Sequence, residues 1–394
     1  MMQKQLNQKR IMLMVPLLDQ GGQERICALT AQLLKEQCQV CLLVFSTKDM
    51  IYDVSGVDLI DLNKGSKKGL FGKLLNVLVR VKEVKKIKKD RKIDIAYSFG
   101  PSANLVNALS KGNEKVWLGV RGYDALPEHQ YEKRLYKRAD KVICCSKVMA
   151  DDVGKMIHSN HVDYLYNPCE VEKFRELGLE KINPAHLRFL EEKGPNIISV
   201  GRATDRKGFW HQIKSFALIK KAIPDAKLIF VGDGDFEAYK KLADELNISQ
   251  SILFAGVQKN PFSYLAKASL YLLTSSAEGF PNALVEAMAM GVPIVSTNCK
   301  TGPSEILADD YESVSDNQKV HVGEYGIIIP VFNPVKNLDA SVIEPEEYIM
   351  AKEAIKILTD EEKLDEMRNA ARKRSECFTQ DKYLESLLLK LGEV

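Results

Sequence analysis

The sequence predicts an α/β chain of two domains, each a parallel sheet wrapped by helices and the two facing each other across a cleft. Short apolar runs alternate with stretches of good helical propensity along both halves of the chain. The alternation restarts at Asn196, after a polar stretch from Glu170 to Pro195 that reads as a join. At 394 residues the chain also exceeds one ordinary core. The expected boundaries are 1–170 for the first domain, 171–195 for a linker, 196–375 for the second domain and 376–394 for a last helical segment.

In the first half, Arg10 to Pro16 is an apolar strand, followed by a Gly-rich loop and a helix from Ile26 to Lys35. Gly21-Gly22 lets a ligand approach the backbone with a helix start behind it, although paired glycines also simply make tight turns. The loop is not GxGxxG, which argues against a nicotinamide dinucleotide. Strands follow at Val40–Phe45, Val57–Leu62, Ile93–Phe99, Lys115–Val120, Lys141–Ser146 and Val162–Tyr166, with helices at Asn104–Ser110 and Tyr131–Arg138. Loops beyond the carboxyl ends of strands are where α/β proteins hold ligands. Arg121, Asp124, Glu128 and His129, after the Lys115–Val120 strand, are therefore candidates on the cleft, or ordinary loop surface.

Residues 66–92 are rich in lysine and arginine. Leu70, Leu74, Leu75, Leu78 and Val81 recur at helical spacing with Lys73, Arg80, Lys82, Lys85 and Lys86 around them. A basic amphipathic helix of this kind suits an anionic membrane surface. The same pattern also fits a packed surface helix with a solvated cationic face.

In the second half, strands are expected at Asn196–Val200, Lys227–Val231, Ile252–Ala255 and Leu270–Leu273. Helices are expected at Trp210–Ala222, Phe236–Leu246 and Phe262–Ala268, and at the end at Glu346–Arg374 and Asp381–Leu391. The most informative stretch is Thr274 to Thr297, TSSAEGFPNALVEAMAMGVPIVST. A buried strand ends in small polar residues, Gly279 and Pro281 break the chain, good helix formers run from Ala283 to Met290, and Gly291 suits the end of that helix. The free N–H groups of such a helix start favour an anion. Glu278 precedes this helix and Glu286 lies about one turn inside it, roughly 6 Å along the axis. A nucleotide-sugar fits: diphosphate on the helix start, sugar hydroxyls on one acid and ribose hydroxyls on the other. A core helix with solvated glutamates has the same spacing. Arg202 and Lys207, after the first strand of this half, can place positive charge on a diphosphate and stabilise it as a leaving group.

Composition limits the alternatives. A net charge of +3 gives no case for nucleic acid. Eight cysteines are scattered, several inside apolar strands, which fits reduced core residues rather than disulfides or a metal centre. Six histidines are unclustered, so no metal is expected. No apolar stretch reaches the ~18 residues of a membrane span, and no secretory segment is recognisable. A cytoplasmic protein is expected, peripheral on the inner face of the plasma membrane if the basic helix binds lipid.

The segments GRATDRKG, VGDGD, FAGV, SSAEGFPNALVEAMAMGVPIVST and TGPSEIL resemble the retaining glycosyltransferases of family 4, also called glycosyl transferases group 1, of the bacterial polysaccharide and glycolipid type. Gly21-Gly22-Gln-Glu-Arg resembles the GG-x-ER loop of many members. The resemblance implies the GT-B fold, with donor bound mainly by the C-terminal domain, acceptor by the N-terminal one, and a last helix crossing back to the first domain. It implies that Arg202 and Lys207 hold the donor phosphates, that Glu278 contacts the transferred sugar and that Glu286 binds the ribose. Gly279, Phe280, Pro281, Asn282, Ala283 and Leu284 would lie near sugar and phosphates, Gly21 and Gly22 near the diphosphate, and Val257 near the base. In the N-terminal domain, Arg121 and Asp124 occupy the stretch where the family often has a His or Asp meeting sugar or acceptor.

The implied activity is transfer of a sugar from a nucleotide-sugar, UDP favoured over GDP on frequency, to a glycan or lipid-linked saccharide. Its setting would be surface polysaccharide biosynthesis, such as capsule or lipopolysaccharide, with no metal and no other cofactor. Same-face displacement is favoured over a Glu278 nucleophile. A nucleotide-sugar 2-epimerase of the same fold and a non-catalytic GT-B scaffold are the alternatives.

Overall fold

The computed structural model describes residues 8–19, 21–65, 69–122, 126–314 and 319–393. The chain divides into two compact units, one made of Met1–Pro168 and Gln380–Val394, the other of Cys169–Thr379.

The apolar runs of the first unit become β1 (Arg10–Val15), β2 (Gln39–Val44), β3 (Asp58–Asp61), β4 (Ile95–Phe99), β5 (Lys115–Val120), β6 (Lys141–Cys144) and β7 (Val162–Tyr164). They lie in the order β3-β2-β1-β4-β5-β6-β7, every neighbouring pair parallel. Parallel neighbours require long crossovers, and the intervening helices supply them. Helices cover both faces of the sheet, so β1 is apolar on both sides, with Ile11 to Val15 all buried. On one face Leu13 and Val15 share a core with Ile26 and Leu34 of the helix Gly22–Leu34, and with Tyr383, Leu387 and Leu391 of the last helix, Gln380–Gly392. On the other face Met12 and Met14 meet Val84 and Val106 from the helices Leu70–Asp90 and Pro101–Leu109. Polar contacts also fasten the last helix to this unit. The Tyr383 and Thr30 hydroxyls are 2.7 Å apart, and Lys390 Nζ lies 2.5 Å from Asp163.

The second unit holds β8 (Asn196–Val200), β9 (Lys227–Val231), β10 (Ile252–Gly256), β11 (Leu270–Leu273), β12 (Ile294–Thr297), β13 (His321–Val322) and β14 (Ile327–Ile329). The order is β10-β9-β8-β11-β12-β14-β13, parallel except for the short antiparallel pair of β13 and β14. The helix Phe209–Ala222 is buried on most sides because it lies between the sheet and the helix Pro345–Leu358.

Two expectations are corrected and one helix is added. Residues 171–195 form no linker. They carry the helices Val171–Leu177 and Pro184–Glu191, and Phe174 stacks on Phe262 at 4.0 Å between ring centroids while Leu190 is buried. Chain passage between the units falls instead at Pro168–Cys169 and Thr379–Gln380, and Cys169 N donates to Phe378 O at 2.7 Å. The expected single helix over 346–374 is two, Pro345–Leu358 and Glu361–Ser375. Asp360 breaks the run by capping the second, accepting from Lys363 N at 3.0 Å. A helix absent from the sequence reading, Lys147–Ile157, is capped by Ser146. Among the described residues no helix is long and apolar enough to cross a membrane.

Candidate functional site

In the second unit the strand order reverses between β8 and β11, which are neighbours in the sheet. A sheet of this kind binds ligands beyond the carboxyl ends of its strands at such a reversal, where two loops diverge and leave a crevice. The loop after β8 carries Arg202 and Lys207. The loop after β11 carries Glu278 and leads into the helix Asn282–Ala289. Residues 71 positions apart therefore meet because of topology.

Hydrogen bonds hold the two loops together. Thr274 Oγ1 lies 2.7 Å from Lys207 O and 3.0 Å from Gly208 O, and receives the Gln212 amide at 3.0 Å. Ser276 N donates to Arg206 O at 2.9 Å. Gly208 has φ +62°, and a Cβ there would sit 2.7 Å from Thr274 O, so the position requires glycine on two grounds. Lys207 Nζ reaches across to Glu278 Oε1 at 2.6 Å, with side-chain exposures of 23% and 14%. Arg202 is exposed and makes no ion pair among the described residues.

The far side of the Glu278 loop is fixed by the segment after β12. Thr301 Oγ1 donates to Glu278 O. Gly302, at φ +94°, packs so closely on Pro281 that a Cβ would fall 2.3 Å from its Cδ. Phe280 is buried edge-on against Phe378 at 5.5 Å. Pro281 is the N-cap rather than the first helical residue, and no side chain caps the helix start. Gly279, Asn282 and Ala283 are half-buried at the rim, whereas Leu284 is fully buried and anchors the helix. Glu286, on the same helix, is buried too. Burial raises the Tyr271 phenol well above its ordinary value, and the fields of Glu278 and Glu286 push the same way. One buried ring on β11 thus lies within electrostatic reach of both acids. Val257 is exposed beyond β10, after Gly256 at φ +68°.

In the first unit, Gly21 is the N-cap of the helix Gly22–Leu34, and its carbonyl accepts from Tyr52 at 2.9 Å. The Glu24 carboxylate folds back over this turn: a Cβ on Gly21 would lie 2.0 Å from its Oε2. Burial raises the Glu24 pKa. Arg121 does not project from its loop as expected. Its guanidinium is taken up inside the unit by Tyr97 OH, by Asn167 Oδ1 at 2.9 Å and by the Phe99 ring at 5.0 Å. The cause is the aromatic face of β4, which lies beside β5 in the sheet. Asp124 lies outside the described residues. Glu128 and His129 are exposed, His129 as the N-cap of the helix Gln130–Lys137.

Sequence reasoning missed Thr274, Thr301, Gly302 and Tyr271. Thr274, Thr301 and Gly302 lay within the informative segments without a role of their own; a tyrosine inside a strand carries no signal. It also missed His211, Glu344 and Glu347, whose ligand atoms lie within 4.8 Å of one another behind the Lys207 loop. His211 Nδ1 is 2.8 Å from Glu347 Oε1 and its Nε2 is 3.0 Å from Asn333 O, so both ring nitrogens have protein partners.

Residues 187–324 match the family model described as glycosyl transferases group 1, and residues 20–173 match that of glycosyltransferase family 4. An uncharacterized glycosyltransferase of Methanocaldococcus jannaschii is 30% identical over 332 residues, which is 77% of this chain and 80% of that protein. The chain belongs to the family 4 glycosyltransferases. It is therefore an enzyme of the glycosyl-transferring class.

A Campylobacter jejuni transferase that adds N-acetylgalactosamine to a diphospho-undecaprenol-linked saccharide is 26% identical, over 80% of this chain and 84% of that one. The fold of this glycosyltransferase is GT-B. Anabaena HepE, crystallised with UDP, matches it with a TM-score of 0.73 at 18% identity, covering 98% of this chain and 100% of that one.

Proposed function

We propose that this glycosyltransferase moves a sugar, with retention, from a nucleoside-diphosphate donor to a glycan or lipid-linked saccharide in surface polysaccharide or glycoconjugate assembly. The observation that carries the donor reading is the ion pair of Lys207 and Glu278 on neighbouring loops at the strand-order reversal of the second unit. UDP is favoured over GDP, in keeping with the UDP held by HepE. The lipid-linked acceptor is suggested by the substrate that the Campylobacter transferase's name records.

In this reading Lys207 releases Glu278 when the donor enters. The ammonium turns to the diphosphate, Arg202 grips it as a fork, and the start of the helix Asn282–Ala289 supplies N–H groups and a positive dipole end. Glu278 is then free to accept hydrogen bonds from the transferred sugar, and Glu286 binds the ribose. Gly279 to Leu284 surround sugar and phosphates, and Val257 flanks the base. As the bond from the anomeric carbon to the phosphate oxygen breaks, negative charge grows where the cations and the helix end already point. The acceptor hydroxyl attacks on the face the phosphate leaves and passes its proton to that phosphate. No metal is required, because the protein's own cations neutralise the leaving group.

A thermal-shift panel of sugar nucleotides, run with and without EDTA, tests this. The cognate donor raises the melting temperature of the wild type, and less so that of Lys207→Ala. A panel in which no nucleoside diphosphate or sugar nucleotide stabilises the protein refutes it.

A further inference from the structure

The helix Leu70–Asp90 packs against the rest of its unit the wrong way round for a surface helix. Its inward face carries Asn76, Arg80, Val84 and Lys88, all buried and spaced at single helical turns. The polar members are satisfied by distant partners. Asn76 Nδ2 donates to Gly65 O at 2.7 Å, and Arg80 Nε to Lys64 O at 3.0 Å, with its guanidinium 4.1 Å above the Phe45 ring. Lys88 Nζ bonds Asn107 O at 3.0 Å and Oδ1 at 2.8 Å, and pairs with Glu114 at 2.8 Å.

The opposite face runs through positions 71, 74, 75, 78, 82, 85, 86 and 89, one continuous stripe at helical spacing. Its first half is apolar and open to solvent: Phe71 is 81% exposed, Leu74 60%, Leu75 46% and Leu78 58%. Its second half is Lys82, Lys85, Lys86 and Lys89, all exposed. Contiguous exposed apolar side chains of this size mark an interaction surface.

Lys85 and Lys89 also line a cavity of about 900 Å³ with Lys9, Lys88, Lys92 and Lys115, against the acids Asp94 and Glu114. Lys88 neutralises Glu114, so the cavity keeps a surplus of positive charge.

We propose that this face seats the first unit on an anionic lipid bilayer. Phe71, Leu74, Leu75 and Leu78 enter the acyl boundary while the lysine half of the stripe and the lysine-lined cavity take phosphate headgroups. Charge decides the occupant. A second copy docked through the same stripe would bring lysines against lysines or leave the leucines unmatched. A nucleic acid would leave the apolar half in water. A bilayer with anionic headgroups meets both halves at once. The surface would also hold the enzyme beside a lipid-linked acceptor.

The test is co-sedimentation of the full-length protein with phosphatidylcholine vesicles, with and without phosphatidylglycerol. Two variants are compared with the wild type: Phe71→Ser with Leu74→Ser and Leu78→Ser, and Lys82→Glu with Lys85→Glu and Lys86→Glu. All six side chains are exposed, and unchanged melting curves confirm folding. The expected result is wild-type binding only to anionic vesicles, weakened by salt and reduced about tenfold or more in either variant. Failure of the wild type to bind overturns the proposal, as does binding that both variants retain. So does a concentration-dependent dimer that the serine variant abolishes while vesicle binding is untouched.

Discussion

Replacing Glu278 with glutamine separates two effects that most active-site substitutions confound. Lys207 Nζ pairs with Glu278 Oε1 at 2.6 Å. A nucleoside diphosphate must therefore compete with that carboxylate for the cation. The glutamine keeps the side chain's size and removes the competing charge, so Lys207 stands free for phosphate. The pair is partly solvated, at 23% and 14% side-chain exposure, so the bare Coulomb figure overstates it and a value near 1 kcal/mol applies. A release of about 1 kcal/mol tightens binding of the free nucleoside diphosphate about fivefold. Turnover moves the opposite way. Glu278 is the group proposed to hold the transferred sugar in the transition state, and loss of one such contact costs about 10²–10³ in rate. Isothermal titration of UDP and GDP gives the first number, and single-turnover transfer with the donor found by thermal shift gives the second. Lys207→Ala is the control and weakens diphosphate binding on either background. If Glu278→Gln binds UDP and GDP no more tightly than wild type while Lys207→Ala has no effect, Lys207 does not grip the phosphates and the pair exchange is wrong.

Gly208→Ala forces a Cβ to 2.7 Å from Thr274 O at a φ of +62°, and should lower stability by about 1–3 kcal/mol in urea unfolding with the two loops' alignment lost. Burial pushes the Lys88 ammonium down to about 8, whereas in the unfolded chain it titrates near 10.4. Between those values the unfolded state binds more protons, so wild type should gain stability relative to Lys88→Met as pH rises through that window, read by denaturant midpoints at each pH. Of the eight cysteines only Cys377 is exposed, and burial pushes Cys38 to about 11 and Cys41 to about 12. A thiol reagent at neutral pH should therefore label one site quickly, and Cys377→Ser should abolish that phase. Transfer should survive EDTA and gain nothing from added magnesium; a strict metal requirement would sink the proposed neutralisation by Arg202 and Lys207.

The sheets were legible because a parallel strand buried on both faces leaves a continuous apolar run, as in β1 and β11. The loops after β8 and β11 were legible for a related reason, since polar and glycine residues placed directly after such runs mark carboxyl ends. What was not legible is pairing at a distance. Arg121 sits where a ligand-facing residue is expected, but Tyr97 and Asn167, from β4 and the segment after β7, claim its guanidinium. Residues 171–195 look like a join in composition, but a few side chains such as Phe174 and Leu190 are enough to fold them onto the second unit. In each case the deciding partner is tens of residues away and leaves no mark on local composition.

The basic helix shows the same limit most sharply, because periodicity names a helix's faces without saying which one turns inward. The ordinary rule sends the apolar stripe to the core, since burying a leucine gains roughly 2 kcal/mol while burying an unpaired charge costs far more. Here the cost is removed rather than avoided: Arg80 lies over Phe45 and donates to Lys64 O, and Lys88 has Glu114 and the Asn107 carbonyl oxygens. With those anchors inside, the helix is held without its leucines. A protein that spends polar side chains on seating a helix, and leaves Phe71, Leu74, Leu75 and Leu78 in water, keeps a surface whose stability cost is recovered only on contact with an apolar partner. Substituting those four residues should therefore leave folding stability unchanged or slightly improved, whereas Lys88→Ala should cost about 3–5 kcal/mol by stranding Glu114. The reverse ordering, with the exposed leucines stabilising and Lys88 dispensable, would mean that the outward stripe packs against this chain itself.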